Sequence, residues 1–381
     1  MFFVNGSLFA TWVSRIPRVK ADLGLSESAL GLALFVMAIG TFAALPATVC
    51  LIARFGSRSV TAGAALACCA VLAAVGFAPT FGLLAAALGL LGATMGAMDV
   101  AMNSQASLLE KAHERSIMAS FHGLWSLGGL VGAAAGGVFA AQQLTPFDHF
   151  LAVGVLLSLL AVVAARWLLP DTGAAPGAVL AWPSRAVLGV GLVAACGAIV
   201  EGGIADWSGV YLRETLATGA GFAASGFAAF SLAMTIGRLT GDRMIDRFGP
   251  VPLLRAGAAL AGVAIGGALL VGNPYVAVVG FAAAGIGMSV VFPIAFSVAG
   301  RLHGTLPSTA IAAVATMAYG AGMAGPPFIG FAAGSTSLTL ALGLLVFMCV
   351  LIGLLAGNLG ARAQQGVVPN DAPVTARAAN E

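Results

Sequence analysis

Residues 96–104, GAMDVAMNS, set a carboxylate, Asp99, in a stretch that has carried no charge since Arg58. Asn103 lies four residues on, one helical turn away and on the same side. The next apolar run holds FHGLWSLGG, where His122 is followed by Trp125 at i+3 and Ser126 at i+4. Two further acids come in VEGGIADWS, Glu201 and Asp206, with Trp207 beside them. Ionised side chains cost about 2.5–3.5 kcal/mol at the centre of a membrane helix on insertion scales, so those that persist usually line a wet cavity. A carboxylate that loads and unloads a proton, beside a histidine that titrates near neutrality, is the equipment of ion coupling. Asp99, His122 and Glu201 are therefore the expected proton-coupling residues. Asn103, Trp125, Ser126, Asp206, Trp207 and, near the start, Asn5 are the expected substrate contacts. The structural alternatives are a carboxylate bonded to a neighbouring helix, a core histidine, and tryptophans that pack or anchor at an interface. The corresponding stretches of the second half, GIGMSVVFPIAF and TAIAAVATMAYG, contain no acid or histidine, which favours a chemical role over a purely structural one for Asp99 and His122.

These residues sit in an apolar chain. Of its 381 residues, 60% are hydrophobic and 8% are charged, and its mean hydropathy is +1.02. Soluble domains carry about 25% charged residues, so lipid is the expected solvent for most of the chain. A net charge of +3 gives no footing for nucleic acid. The five cysteines lie in apolar runs without a CxxC spacing and read as small hydrophobes. The start lacks the basic segment and cleavage site of a signal peptide.

Apolar runs fit for bilayer crossing, roughly 20 residues each, are expected at 1–14, 28–52, 60–78, 81–104, 117–141, 149–168, 186–212, 220–240, 251–271, 275–299, 309–331 and 336–357. Lipid demands internal backbone bonding, so all twelve read as helices. The first spans only about 21 Å at 1.5 Å per residue, which suggests a truncated first helix with the natural start upstream of Met1, or a tilted one. With the amino terminus inside, most of the 17 Lys and Arg residues, Arg238 among them, fall on cytoplasmic loops, so both termini are expected in the cytoplasm of a bacterial-type inner membrane. The segment RWLLPDTGAAPGAVLAWPSR divides the chain into a bundle at 1–165, a linker at 166–185, a second bundle at 186–358 and a disordered tail at 359–381. The halves echo each other: LIARFGSR and MIDRFGPV align at an offset of 193, and FATW and IADW at 195.

The sequence resembles the major facilitator superfamily over essentially its whole length. GRLTGDRMIDRFGP is similar to that family's cytoplasmic signature, carried here by Gly237, Asp242, Arg243, Asp246, Arg247 and Gly249. The first copy departs from it, with Ala53 where the second has Asp246. MDVAMNSQASLLEKAHERSIMASFHGLWSLGGLVGA and EGGIADWSGVYL resemble a bacterial rhizopine-permease-like inner-membrane group related to fucose–proton symporters. The resemblance implies two six-helix bundles, sugar recognition and proton coupling at Asp99 and Asn103. It also implies no cofactor, the proton gradient serving as energy source.

Gly128, Gly132 and Gly136 form GxxxGxxxG, a close-packing seam. The same stretch resembles the signature of drug antiporters, with Ala133 where those carry proline. Gly325-Pro326-Pro327 is expected to bend its helix. No phosphate-binding loop, metal-ligand spacing or hydrolase motif occurs in the sequence, so an enzyme is not expected. The reading is a monomeric carrier in the lipid bilayer that moves a small polar solute, a sugar or cyclitol, by proton symport. The alternatives are a proton-driven exporter of amphipathic compounds and a non-transporting membrane scaffold.

Overall fold

The structure is a computed structural model, which describes residues 1–113, 117–170, 181–185, 187–302 and 307–364. The middle of the expected linker, the tail after residue 364 and the Asp242 side chain lie outside the described residues. The helices are α1 (Phe2–Val13), α2 (Ile16–Asp22), α3 (Glu27–Phe77), α4 (Phe81–His113), α5 (Met118–Ala141), α6 (Pro146–Ala165), α7 (Leu188–Val210), α8 (Ala220–Ala223), α9 (Ser225–Phe248), α10 (Pro250–Val271), α11 (Pro274–Met288), α12 (Val291–Ala299), α13 (Pro307–Ser335) and α14 (Leu338–Gln364). A π-helical turn, Tyr211–Thr215, extends α7. Nine helical stretches among the described residues are long and apolar enough to cross a membrane.

One of the nine, α3, has 51 residues, or about 76 Å of helix, more than twice a hydrocarbon core. It is two passes. Gly56, at φ 78° and ψ 153°, turns the chain between them. Gly249, which stands 193 positions on in the second copy of the motif, turns α9 into α10 at φ 79° and ψ 159°. Positive φ of this kind is open to glycine and strained for other residues. The echo extends to the residues before each turn: Arg54 lies over the Phe55 ring at 5.2 Å, and Arg247 over Phe248 at 5.3 Å. Trp12 and Trp207, paired by the other offset, are both fully buried. With α3 counted twice, α11 and α12 forming one pass, and α1 and α13 added, the chain makes the twelve expected crossings. The 12-residue α1 stays short. It is packed inside the bundle, with Leu8 and Trp12 fully buried.

Helix starts are set by local chemistry. The Ser26 hydroxyl accepts from the Ala29 amide at 3.2 Å and Thr145 from Asp148 at 3.1 Å, filling donors that a first turn leaves unpaired. Proline opens α6, α10 and α11, where its missing N–H costs nothing.

Helices α1 and α5 pack along the glycine seam. A Cβ at Gly128, Gly132 or Gly136 would strike Phe3, Ser7 or Ser14 of the α1 segment. Helix α3 also packs on α4 and α6, while α7 packs on α13 and α14. The first and second halves meet where α3 faces α13 and α5 faces α9. They come to backbone distance at the end of the bundle that carries Lys20. There Gly31 abuts the Pro326 carbonyl and Gly330, and Gly137 abuts Gly221. Lys20 Nζ bridges Glu214 of the second half at 2.6 Å and Glu27 at 3.4 Å.

The seam predicts opposite outcomes for two glycines. Gly132→Val drives a branched side chain into the Ser7 backbone, and overpacking of this kind costs about 1–3 kcal/mol, so thermal unfolding in detergent should occur at lower temperature. At Gly267 nothing stands within 4 Å of an added Cβ, so Gly267→Ala should leave the midpoint unchanged or raise it.

Candidate functional site

A cavity of about 490 Å³ lies between the halves. It is lined by Asn5 and Phe9 of α1, Thr41 of α3, Asp99 of α4, His122 and Trp125 of α5, Glu201 of α7, Arg238 of α9, Phe292 and Phe296 of α12, and Tyr319 of α13. Each polar group stands in an apolar helix whose partners leave this one side uncovered.

Asp99 is a junction between halves. The Tyr319 hydroxyl donates to Asp99 Oδ2 at 3.2 Å, from α13 to α4. Asn103 Nδ2 donates to the Asp99 carbonyl at 2.9 Å and to Oδ1 at 3.2 Å, as an i+4 neighbour on a helix can. Asn103 thus braces the carboxylate from below and does not line the cavity.

A second junction runs through Arg238. Its Nη2 stands 3.5 Å from Glu201 Oε2, and its Nη1 donates to Ser126 Oγ at 2.9 Å. Ser126 in turn donates to the His122 carbonyl at 3.2 Å. Arg238 and Glu201 belong to the second half, and Ser126 to the first. Glu201 Oε1 is buried with no hydrogen-bond partner among the described residues. A third link ties α1 to α5, where Trp125 Nε1 donates to Asn5 Oδ1 at 2.9 Å. The Trp125 ring lies against Phe9 with centroids 6.0 Å apart, and the His122 ring meets Phe2 edge-on at 5.4 Å. The cavity therefore holds two carboxylates, one guanidinium, one imidazole and an aromatic wall. Carboxylates can bind and release protons, and the guanidinium can pair with either Glu201 or an incoming group.

Asn5, Asp99, His122, Trp125 and Glu201 thus come together on one cavity, and Ser126 and Asn103 stand directly behind them. Asp206 and Trp207 are not part of its lining. Trp207, expected as a solute contact, is fully buried and stands outside this lining. Arg238 corrects the charge reading. The sequence pattern assigns it to a cytoplasmic loop, but α9 runs on to Phe248 and carries Arg238 about 15 Å inside the helix end. Tyr319 escapes the sequence reading altogether. Its signal is a tyrosine, one of only three in the chain, inside an apolar helix, where a hydroxyl needs a partner. Arg243, Asp246 and Arg247 of the signature lie at the surface, and Gly237 packs on Ser289. Among the described residues no group of three metal-binding side chains occurs.

The Major Facilitator Superfamily profile matches residues 1–326. An uncharacterized MFS-type transporter of Yersinia pestis is 36% identical over 95% of this chain and 93% of its own length. Membrane protein MosC of Rhizobium meliloti is 31% identical over 92% of this chain and 86% of its own. In fold, the chain is similar to a bacterial homologue of the human lysosomal transporter Spinster in an inward-facing, occupied conformation, with TM-score 0.77 and 14% identity over 96% of each chain. It is also similar to a point mutant of the nucleoside transporter NupG, with TM-score 0.74 and 12% identity over 95% of this chain and 97% of that one. With the profile and the full-length relatives in agreement, the chain belongs to the Major Facilitator Superfamily of membrane transporters.

Proposed function

We propose that this transporter carries a small polar solute, of the sugar or cyclitol class, together with protons across a bacterial inner membrane by alternating access. The observation that carries the reading is the Asp99 carboxylate on the central cavity, bonded across the halves by Tyr319. A charged Asp99 holds α13 to α4 through a charge-assisted hydrogen bond, a type of contact worth roughly 1.5–3 kcal/mol. A protonated Asp99 holds it less firmly, so proton loading and movement of the halves become linked through one contact. Trp125 and Phe9 offer a flat apolar face, while Asn5 Nδ2, buried and without a partner among the described residues, is a ready donor to a hydroxyl-bearing solute. The arginine-rich end near Gly56 is the cytoplasmic one in this reading, as are both termini, and the cavity lies toward that end.

A second reading, proton-driven export of amphipathic compounds, draws on the lining itself. Met37, Leu45, Phe292, Phe296 and Met323 give much of the wall an apolar character. Proteoliposomes with an imposed pH gradient separate the two, tested with a panel of radiolabelled hexoses and cyclitols and with ethidium. Gradient-driven uptake of a hexose or cyclitol supports symport, and gradient-driven ethidium movement with no polyol transport supports export.

Asp99→Asn should abolish accumulation against a gradient while leaving exchange of solute at equal concentrations in place. Tyr319→Phe removes the bridge and should reduce accumulation by roughly ten- to a hundredfold, the effect of losing one charge-assisted bond of about 1.5–3 kcal/mol. Full accumulation by the Asp99→Asn protein would remove Asp99 from coupling. Arg238→Gln leaves Glu201, part-buried on the cavity, without its partner, and should lower the unfolding midpoint. The double variant Glu201→Gln, Arg238→Gln should recover part of that loss in thermal unfolding. Additive single and double effects would show that the pair is not coupled.

A further inference from the structure

A second polar crevice, of about 330 Å³, opens at the Lys20 end between the two halves, away from the central cavity. Three arginines line it: Arg15 and Arg18 from the first half and Arg213 from the π-helical turn of the second. Among the described residues a single acid, Asp22, accompanies them, and it is already engaged, its two oxygens 2.7 and 3.0 Å from Arg18 Nε. Arg213 donates to the Thr218 carbonyl.

Arg15 is the unusual member. It is 1% exposed. Its Nη2 donates to the Leu144 carbonyl, while Nε and Nη1 have no partner among the described residues. Burial, and then the Arg18 charge, pull its pKa below the ordinary arginine value, with Asp22 offsetting them in part. A buried charge is retained in folded proteins when it is paired, and a planar guanidinium matches the oxygen pairs of carboxylates and phosphates.

We infer that this crevice is an anion-binding site, built by Arg15, Arg18 and Arg213, that takes a phosphate or carboxylate group between the two halves. An anion held there neutralises the excess positive charge and ties Arg15 to Arg213. It thereby stabilises the arrangement in which the Lys20 end is closed, alongside the Lys20–Glu214 bridge. The phosphate has two sources at the edge of a membrane: a free anion and a phospholipid headgroup.

The test uses the full chain in neutral detergent at constant ionic strength, with inorganic phosphate titrated against chloride. The wild-type unfolding midpoint should rise saturably by roughly 2–4 °C, the effect expected of a ligand that binds only the folded state. The variant Arg18→Gln, Arg213→Gln alters exposed rim residues, so it should fold, and it should lose the rise. Arg15→Gln, which changes the floor, is the secondary variant. Nanodiscs identify the source. A phosphate-dependent rise in phosphatidylcholine discs marks a free anion, and a rise found only on adding phosphatidylglycerol marks a headgroup. No rise in detergent or in either disc, or an equal rise in the wild-type and rim-variant proteins, overturns the inference.

Discussion

A charge in the middle of a lipid bilayer must be paired or reach water, and the centre of this molecule is organised by that requirement. Asp99, Glu201 and Arg238 all sit on helices that are otherwise apolar there, and all three face the same space between the halves. Arg238 meets Glu201 and Ser126, and Asp99 meets Tyr319 and Asn103. Two of these contacts, Tyr319 to Asp99 and Arg238 to Ser126, cross from one half to the other. The polar groups that the membrane disfavours are thus also the groups that the two halves share.

The rest of the fold gives those contacts a rigid setting. Glycine seams let α1 meet α5 and let α3 meet α13 at backbone distance, without intervening side chains. Small residues at such crossings supply packing where no hydrophobic effect drives helices together. Closure at the Lys20 end comes from these seams and from Lys20, a cation placed between an acid of each half. Lys20 is buried while its two acid partners are about a third exposed, so water can replace the bridge as the end opens. It suits an end that has to open and close, whereas the Gly132 seam within the first half suits a part that moves as one body.

The helices were legible because each crossing needs a long apolar run, a signal that one sequence carries in full. The turn at Gly56 was legible as the first copy of a motif whose second copy ends at Gly249, and both glycines adopt the same backbone geometry. Asp99, His122 and Glu201 stood out because charge or imidazole is rare in such runs. Arg238 did not, because it lies close to a stretch rich in arginines and reads as part of the loop until the helix end is known. Tyr319 carries no charge, and its role comes from what stands opposite it, which linear order does not display; Ser126 is legible as a solute contact, but its Arg238 partner is not. Trp207 misled for the reverse reason: it follows Glu201 closely in sequence, but helical rotation turns it into the packed interior.

The account rests on Asp99 acting as the titrating group that links protonation to the arrangement of the halves. Spin labels at Gln142 and Thr215, exposed residues of opposite halves at the Lys20 end, can be placed on a Cys50→Ser background and read by pulsed electron resonance. The wild-type protein should give one short distance at pH 8 and an added longer population at pH 5.5, while the Asp99→Asn protein should show the longer population at both. A distance distribution that ignores pH, or one that responds to pH equally well without the Asp99 carboxylate, would contradict it.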